Sequence, residues 1–122
     1  DHPLHEEHVV VPDAAAVAIA RTKREGGRVV AVGTTVVRTL EHVARECGEV
    51  RPYVGGTRLK ILPGDPFLAT DVIVTNFHLP QSTLLMLISA FAGTEFVMGA
   101  YREAVSEGYR FYSFGDAMLI LP

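Results

Sequence analysis

The 122 residues predict an α/β fold: a mostly parallel or mixed sheet with flanking helices. Two observations carry this. Short β-branched runs, such as Val29-Val30-Ala31-Val32 and Val72-Ile73-Val74-Thr75, alternate with longer stretches of helical period. Glycines and prolines punctuate the junctions, as at Pro12, Gly26-Gly27, Gly48, Gly93 and Gly108. Alternation of strand and helix favours parallel pairing in one sheet.

Taken in order, Val9-Val10-Val11 marks a strand near residues 8–11. Pro12-Asp13 then opens a helix near 13–25, where alanines favour helix and Gly26-Gly27 stops it. A buried strand follows near 28–33 and a second helix over 34–47, ended by Gly48. Val36, Val37, Leu40, Val43, Ala44 and Cys47 form one stripe at helical period, which predicts a face packed on a sheet and a buried Cys47. From Gly48 to Pro66 the chain makes a hairpin-like excursion; within it residues 57–62 alternate polar and apolar, as a half-buried strand does. The central strand is near 71–75. Next comes an apolar helix over 82–92, buried nearly all round and ended by Gly93. Thr94 caps a last helix, 94–107, with Phe96, Val97, Ala100, Tyr101, Ala104 and Val105 on its core face. The final strand is near 117–121.

Composition narrows the class. A 48% hydrophobic content with 20% charge excludes a disordered segment, and the length suffices for one domain or part of one. No apolar run approaches the ~20 residues that span a bilayer, so a cytoplasmic protein with no membrane partner is expected. A net charge of −3 argues against RNA contact over much of this surface. Arg58 and Lys60 are the RNA-facing candidates, with solvated strand charges as the alternative. The cluster Arg21, Lys23, Arg24 and Arg28 fits cations near a helix C-terminus. His2, His5 and His8 are spaced too regularly along the chain to converge on a metal, and none is expected. The chain begins at Asp1 and its first methionine is Met86, which suggests a piece of a longer protein.

Two places suggest chemistry. Asn76 and His78 follow the central strand, where open α/β folds place ligands; the alternative is a polar loop whose histidine caps a carbonyl. Gly33-Thr34-Thr35 joins a strand to a helix, so free amides and two hydroxyls can hold an anion, or simply cap the helix. Arg38, one turn further, can reach the same end or pair with Glu41 or His42 on the surface.

Three stretches are specific in wording: TNFHLPQSTLLMLISAFAG from Thr75, AVGTTVVRTLE from Ala31, and GYRFYSFGDAMLI from Gly108. In that order they resemble the S-adenosylmethionine:tRNA ribosyltransferase-isomerase family of queuosine biosynthesis, over about Leu4 to Ile120. The resemblance implies the C-terminal segment of a larger, barrel-like α/β domain, which in the family is interrupted by a smaller β-rich domain absent from residues 1–122. It further implies transfer and isomerisation of the ribosyl part of S-adenosylmethionine onto 7-aminomethyl-7-deazaguanine in tRNA. Epoxyqueuosine forms, and adenine and methionine are released. S-adenosylmethionine is then a co-substrate and no cofactor is implied; the partners are the modified tRNA and the remainder of the parent chain. On matched positions His78, His5 and Asp116 are the catalytic candidates, and Gly33, Thr34, Thr35, Arg38, Asn76 and Glu7 the substrate-binding ones. Leu4-His5-Glu6-Glu7 departs from the family's Met-His-Ser-Glu pattern in the first and third residues, which puts the local chemistry in question. Other readings are a diverged nucleoside- or S-adenosylmethionine-handling enzyme, or a non-catalytic excised domain.

Overall fold

The computed structural model describes residues 6–76, 83–108 and 117–121. Its elements run β1 (Glu7–Val11), α1 (Asp13–Arg24), β2 (Val30–Val32), α2 (Thr34–Cys47), β3 (Tyr53–Thr57), β4 (Val72–Asn76), α3 (Thr83–Ala92), α4 (Thr94–Ser106) and β5 (Ala117–Ile120). The α/β class stands, and the sheet is mixed rather than mostly parallel. β1 pairs antiparallel with β3. Separately, β4 is the middle of a three-stranded sheet, parallel to β2 and antiparallel to β5.

The predicted strand over 57–62 is displaced: the strand is Tyr53–Thr57, and the chain leaves the ladder at Thr57. The buried Thr57 hydroxyl accepts the Leu59 N–H at 3.2 Å, a local turn that competes with continued pairing. Gly55 and Gly56, which read as turn residues, lie within β3 opposite Val9 and His8. A Cβ on Gly56 would meet the exposed Glu6 side chain, which would have to swing aside.

Two apolar clusters hold the elements. One joins the inner face of the three-stranded sheet, Ala31, Ile73 and Ile120, to Leu87 and Ile88 of α3 and Val97, Tyr101 and Ala104 of α4. The other gathers Val11, Ala16, Val29, Leu40, Val43 and Ala44. Helix α2 serves both, with Val37 in the first and Leu40, Val43 and Ala44 in the second. The predicted stripes are wider than the buried ones. Cys47 is exposed because it is the last residue of α2, beyond the reach of either cluster. Val36 faces outward at 41% exposure. On α4, Phe96, Ala100 and Val105 are exposed, since the helix packs through the narrower Val97–Tyr101–Ala104 row.

Two carboxylates fix the approach to β4. Glu41, fully buried on α2, accepts three backbone N–H groups: Leu68 on Oε1 at 2.6 Å, and Ala69 and Thr70 on Oε2 at 3.0 and 2.8 Å. The surface partnership with Arg38 anticipated for it does not form. Asp71 accepts the Val29 N–H at 2.8 Å and the Lys23 ammonium at 3.0 Å. Together they tie the 68–71 segment to α2 on one side and to α1 and the start of β2 on the other. Burial disfavours the charged form of Asp71, but the Val29 N–H, Lys23 and Arg28 outweigh it and hold its pKa below the ordinary 3.8.

Two outcomes follow. Glu41→Ala strands three amides, and urea denaturation should show a loss of about 3–4 kcal/mol, with Glu41→Gln losing less. Because the folded pKa of Asp71 is depressed, its contribution is complete above the unfolded value and is lost as pH falls through the folded one. The stability difference between the natural chain and Asp71→Asn should therefore hold steady near neutral pH and shrink as the pH falls from about 5 to about 2. A constant difference across that range would refute the assignment.

Candidate functional site at the ends of β2 and β4

Parallel pairing brings the C-terminal ends of β2 and β4 side by side, with Val32 opposite Val74. The Gly33 N–H extends the ladder by donating to the Val74 carbonyl at 2.7 Å. Gly33 then turns the chain into α2 at φ 96° and ψ 147°, a conformation that an L side chain rarely adopts. The first bond within α2 runs from the Val37 N–H to the Gly33 carbonyl, so the N–H groups of residues 34–36 have no partner within the helix. The N-cap position is Gly33 itself, which has no side chain to cap the helix.

A cleft of about 480 Å³ opens at this point. Gly33, Thr34 and Thr35 form one wall, Thr75 and Asn76 from β4 another, and Ala117 of β5 closes the side. Val32 and Val74 supply an apolar floor. Thr34 and Thr75 are buried, whereas Thr35 and Asn76 are exposed at the mouth. Helix-start amides beside hydroxyls and an amide side chain suit a small anionic or carboxylate-bearing ligand, and the floor suits its apolar part.

Arg38 and Glu7 form a second polar pair. Glu7 shares the inward face of β1 with Val9 and Val11, and its Oε1 meets Nη2 of Arg38. The guanidinium is almost wholly buried, while 38% of the Glu7 side chain remains exposed. Nε of Arg38 has no hydrogen-bond partner among the described residues. Neither residue lines the cleft.

The profile of a family described as queuosine biosynthesis protein matches residues 1–120. The chain belongs to that family. The S-adenosylmethionine:tRNA ribosyltransferase-isomerase of Acidithiobacillus ferrooxidans is 55% identical over 122 residues, covering 100% of this chain and 35% of that protein. The protein of the same description from Symbiobacterium thermophilum is 60% identical over 98% of this chain and 35% of its own length. The crystal structure of the S-adenosylmethionine tRNA ribosyltransferase of Thermotoga maritima superposes with a TM-score of 0.86 at 59% identity, covering 92% of this chain and 39% of that one. The chain thus spans about a third of the length of these curated relatives.

Of the residues singled out in the sequence, Gly33, Thr34, Thr35 and Asn76 come together in the cleft. Glu7 and Arg38 pair with each other, away from the surface partners Glu41 and His42. His42 instead contacts the Tyr53 hydroxyl at 3.3 Å, and that hydroxyl donates to the Gly56 carbonyl at 2.7 Å. His5, His78 and Asp116 lie outside the described residues. Ala117, which follows Asp116, and Asn76, two residues before His78, both line the cleft and are paired in the ladder. Sequence reasoning missed Thr75, whose position at the end of a buried strand was the available signal.

Glu7→Gln leaves the Arg38 charge without its counter-charge. The expected loss is about 1–3 kcal/mol in urea denaturation, below the value for a fully buried pair because Glu7 is partly solvated. An unchanged midpoint would show that the pair contributes nothing to folding.

Proposed function

We propose that this chain is part of an S-adenosylmethionine:tRNA ribosyltransferase-isomerase. The reaction moves the ribosyl group of S-adenosylmethionine onto 7-aminomethyl-7-deazaguanine in tRNA and isomerises it to epoxyqueuosine, with adenine and methionine leaving. The observation that carries this reading is the cleft itself: its walls are built from two of the three family-specific stretches and end at the third, through Ala117. Relatives bearing that description share more than half of this sequence. In this reading the chain is the C-terminal segment of the large domain, acting in the cytoplasm with the rest of its parent.

The chemistry sets demands that these residue types meet. The sulfonium of S-adenosylmethionine acidifies the neighbouring ribose carbon, so a general base must take a proton there. Histidine serves near neutral pH without special tuning, which assigns His78 to acid–base work, with His5 as second candidate. The methionine carboxylate sits at the start of α2, on the amides of residues 34–36 and the threonine hydroxyls. Asn76 orients the ribose, and Asp116 faces the sulfonium or a ribose hydroxyl. Glu7 and Arg38 then act as one unit: paired, they brace β1 against α2 and hold the wall of the site.

The test is adenine release from S-adenosylmethionine by the full-length parent, with and without tRNA carrying the aminomethyl-deazaguanine base. Release only with the modified tRNA is expected. His78→Ala should lower turnover by about 100-fold or more. Thr34→Ala should weaken S-adenosylmethionine binding about tenfold. Near-normal turnover in His78→Ala would remove the acid–base role, and release that ignores tRNA would favour another nucleoside-handling reaction.

A further inference from the structure

We infer that Arg58 binds a backbone phosphate of the tRNA strand whose base enters the cleft, and that Glu6 competes with that phosphate for the guanidinium. This deepens the reading proposed above and rests on tRNA being the substrate. With a net charge of −3 the chain repels RNA on average, so contact depends on local cations that lack a firm counter-charge. Position and pairing together single out Arg58.

The β1–β3 ladder reaches from one end of β2 to the other. At one end Val11 shares an apolar cluster with Val29, just before β2. At the other, Glu7 meets Arg38, one helical turn from Thr34 in the cleft wall. Thr57 pairs with Glu7, so the chain leaves β3 at the cleft end, and Arg58 is the next residue. Thr57 is buried and Arg58 exposed, which puts the guanidinium on the solvent side. The cluster Arg21, Lys23, Arg24 and Arg28 lies instead beside the start of β2; from Arg28 to Gly33 the chain spans about 16 Å. A strand delivering a base to the cleft meets Arg58 before it could reach that cluster.

The other ion pairs are firm. Lys23 reaches Asp71 at 3.0 Å, Arg51 reaches Glu49 at 3.1 Å, and Arg38 is buried against Glu7. Arg58 has one counter-charge among the described residues, Glu6, with Nη2 and Oε1 3.9 Å apart. That is too far for a hydrogen bond, and the two side chains are 74% and 57% exposed. Such a pair holds weakly and exchanges with water. The Glu6 side chain lies over Gly56, where the missing Cβ gives it room, and solvent is open for it to swing into. A phosphate offers the guanidinium two oxygens in the bidentate geometry that the single long contact to Glu6 lacks. Binding then releases Glu6 to water and replaces a weak ion pair with a charge-assisted one.

The test measures binding of the modified tRNA to the full-length parent as a function of salt. Arg58→Gln should weaken binding about fivefold and lower the slope of log affinity against log salt by about one contact, with turnover at saturating tRNA unchanged. Glu6→Gln should tighten binding about twofold, and only while Arg58 is present. Arg21→Gln, at the far end of the strands, should change neither affinity nor slope. An unchanged slope in Arg58→Gln overturns the inference. An equal loss in Arg21→Gln overturns it too, because net charge alone would then account for the effect. Tightening by Glu6→Gln in the Arg58→Gln background removes the competition. Inorganic phosphate should compete no better than chloride at equal ionic strength; selective competition would mark a free-anion site instead. Adenine release is read separately: a parent that releases adenine with an unchanged slope in Arg58→Gln loses the phosphate contact and keeps the reaction. Arg58-dependent binding without adenine release does the reverse.

Discussion

The Glu41 carboxylate is the interaction on which the rest of this structure depends. It is a fully buried charge that accepts three consecutive backbone N–H groups from the segment leading into β4. A charge in that position is tolerable only because its oxygens are hydrogen-bonded, and the amides it serves would otherwise be buried without partners. Since Glu41 sits on α2 and Asp71 ties the same segment to β2, the relative heights of β2, β4 and α2 are set together. Those heights place Gly33 beside Val74 and bring the start of α2 level with Asn76. The cleft is therefore a consequence of how a loop at the opposite end of the strands is anchored.

The candidate site divides its labour between backbone and side chains. Gly33 ends a strand, continues its ladder through one N–H and begins a helix, and its left-handed φ is what permits all three within one residue. The helix amides then face the cleft, and the threonines and Asn76 add adjustable polar groups around them. Arg38 and Glu7 stand outside this wall. Their pairing stiffens the contact between the two-stranded sheet and α2, which matters because that sheet has no hydrogen bonds to the other one among the described residues.

Much of this was legible in the sequence. Helix limits were clear wherever a Gly or Pro met a change of period, as at Pro12, Gly48 and Gly93. The strand–Gly33–helix junction was equally clear, because β-branched residues give way there to a helical stripe. The strand at 53–57 was not, because glycines ordinarily mark turns, and Gly55 and Gly56 become strand residues only by pairing with Val9 and His8. Glu41 was legible and overlooked. It falls on the same face as Val37, Leu40 and Ala44, and a charge within an apolar stripe points inward, toward something that must satisfy it.

By itself, the sequence determined the α/β class, the element order, the family and the residues that form the Gly33 wall. These depend on local periodicity, on turn chemistry and on wording specific to one group of proteins. Tertiary structure alone decided which strands pair, that Arg38 meets Glu7, that Glu41 binds a loop 27–29 residues away in the chain, and that β1 and β2 belong to separate sheets among the described residues. Pairing partners and buried-charge partners are contacts between distant segments, and no local pattern of residues encodes which of several chemically equivalent partners the packing will bring within reach.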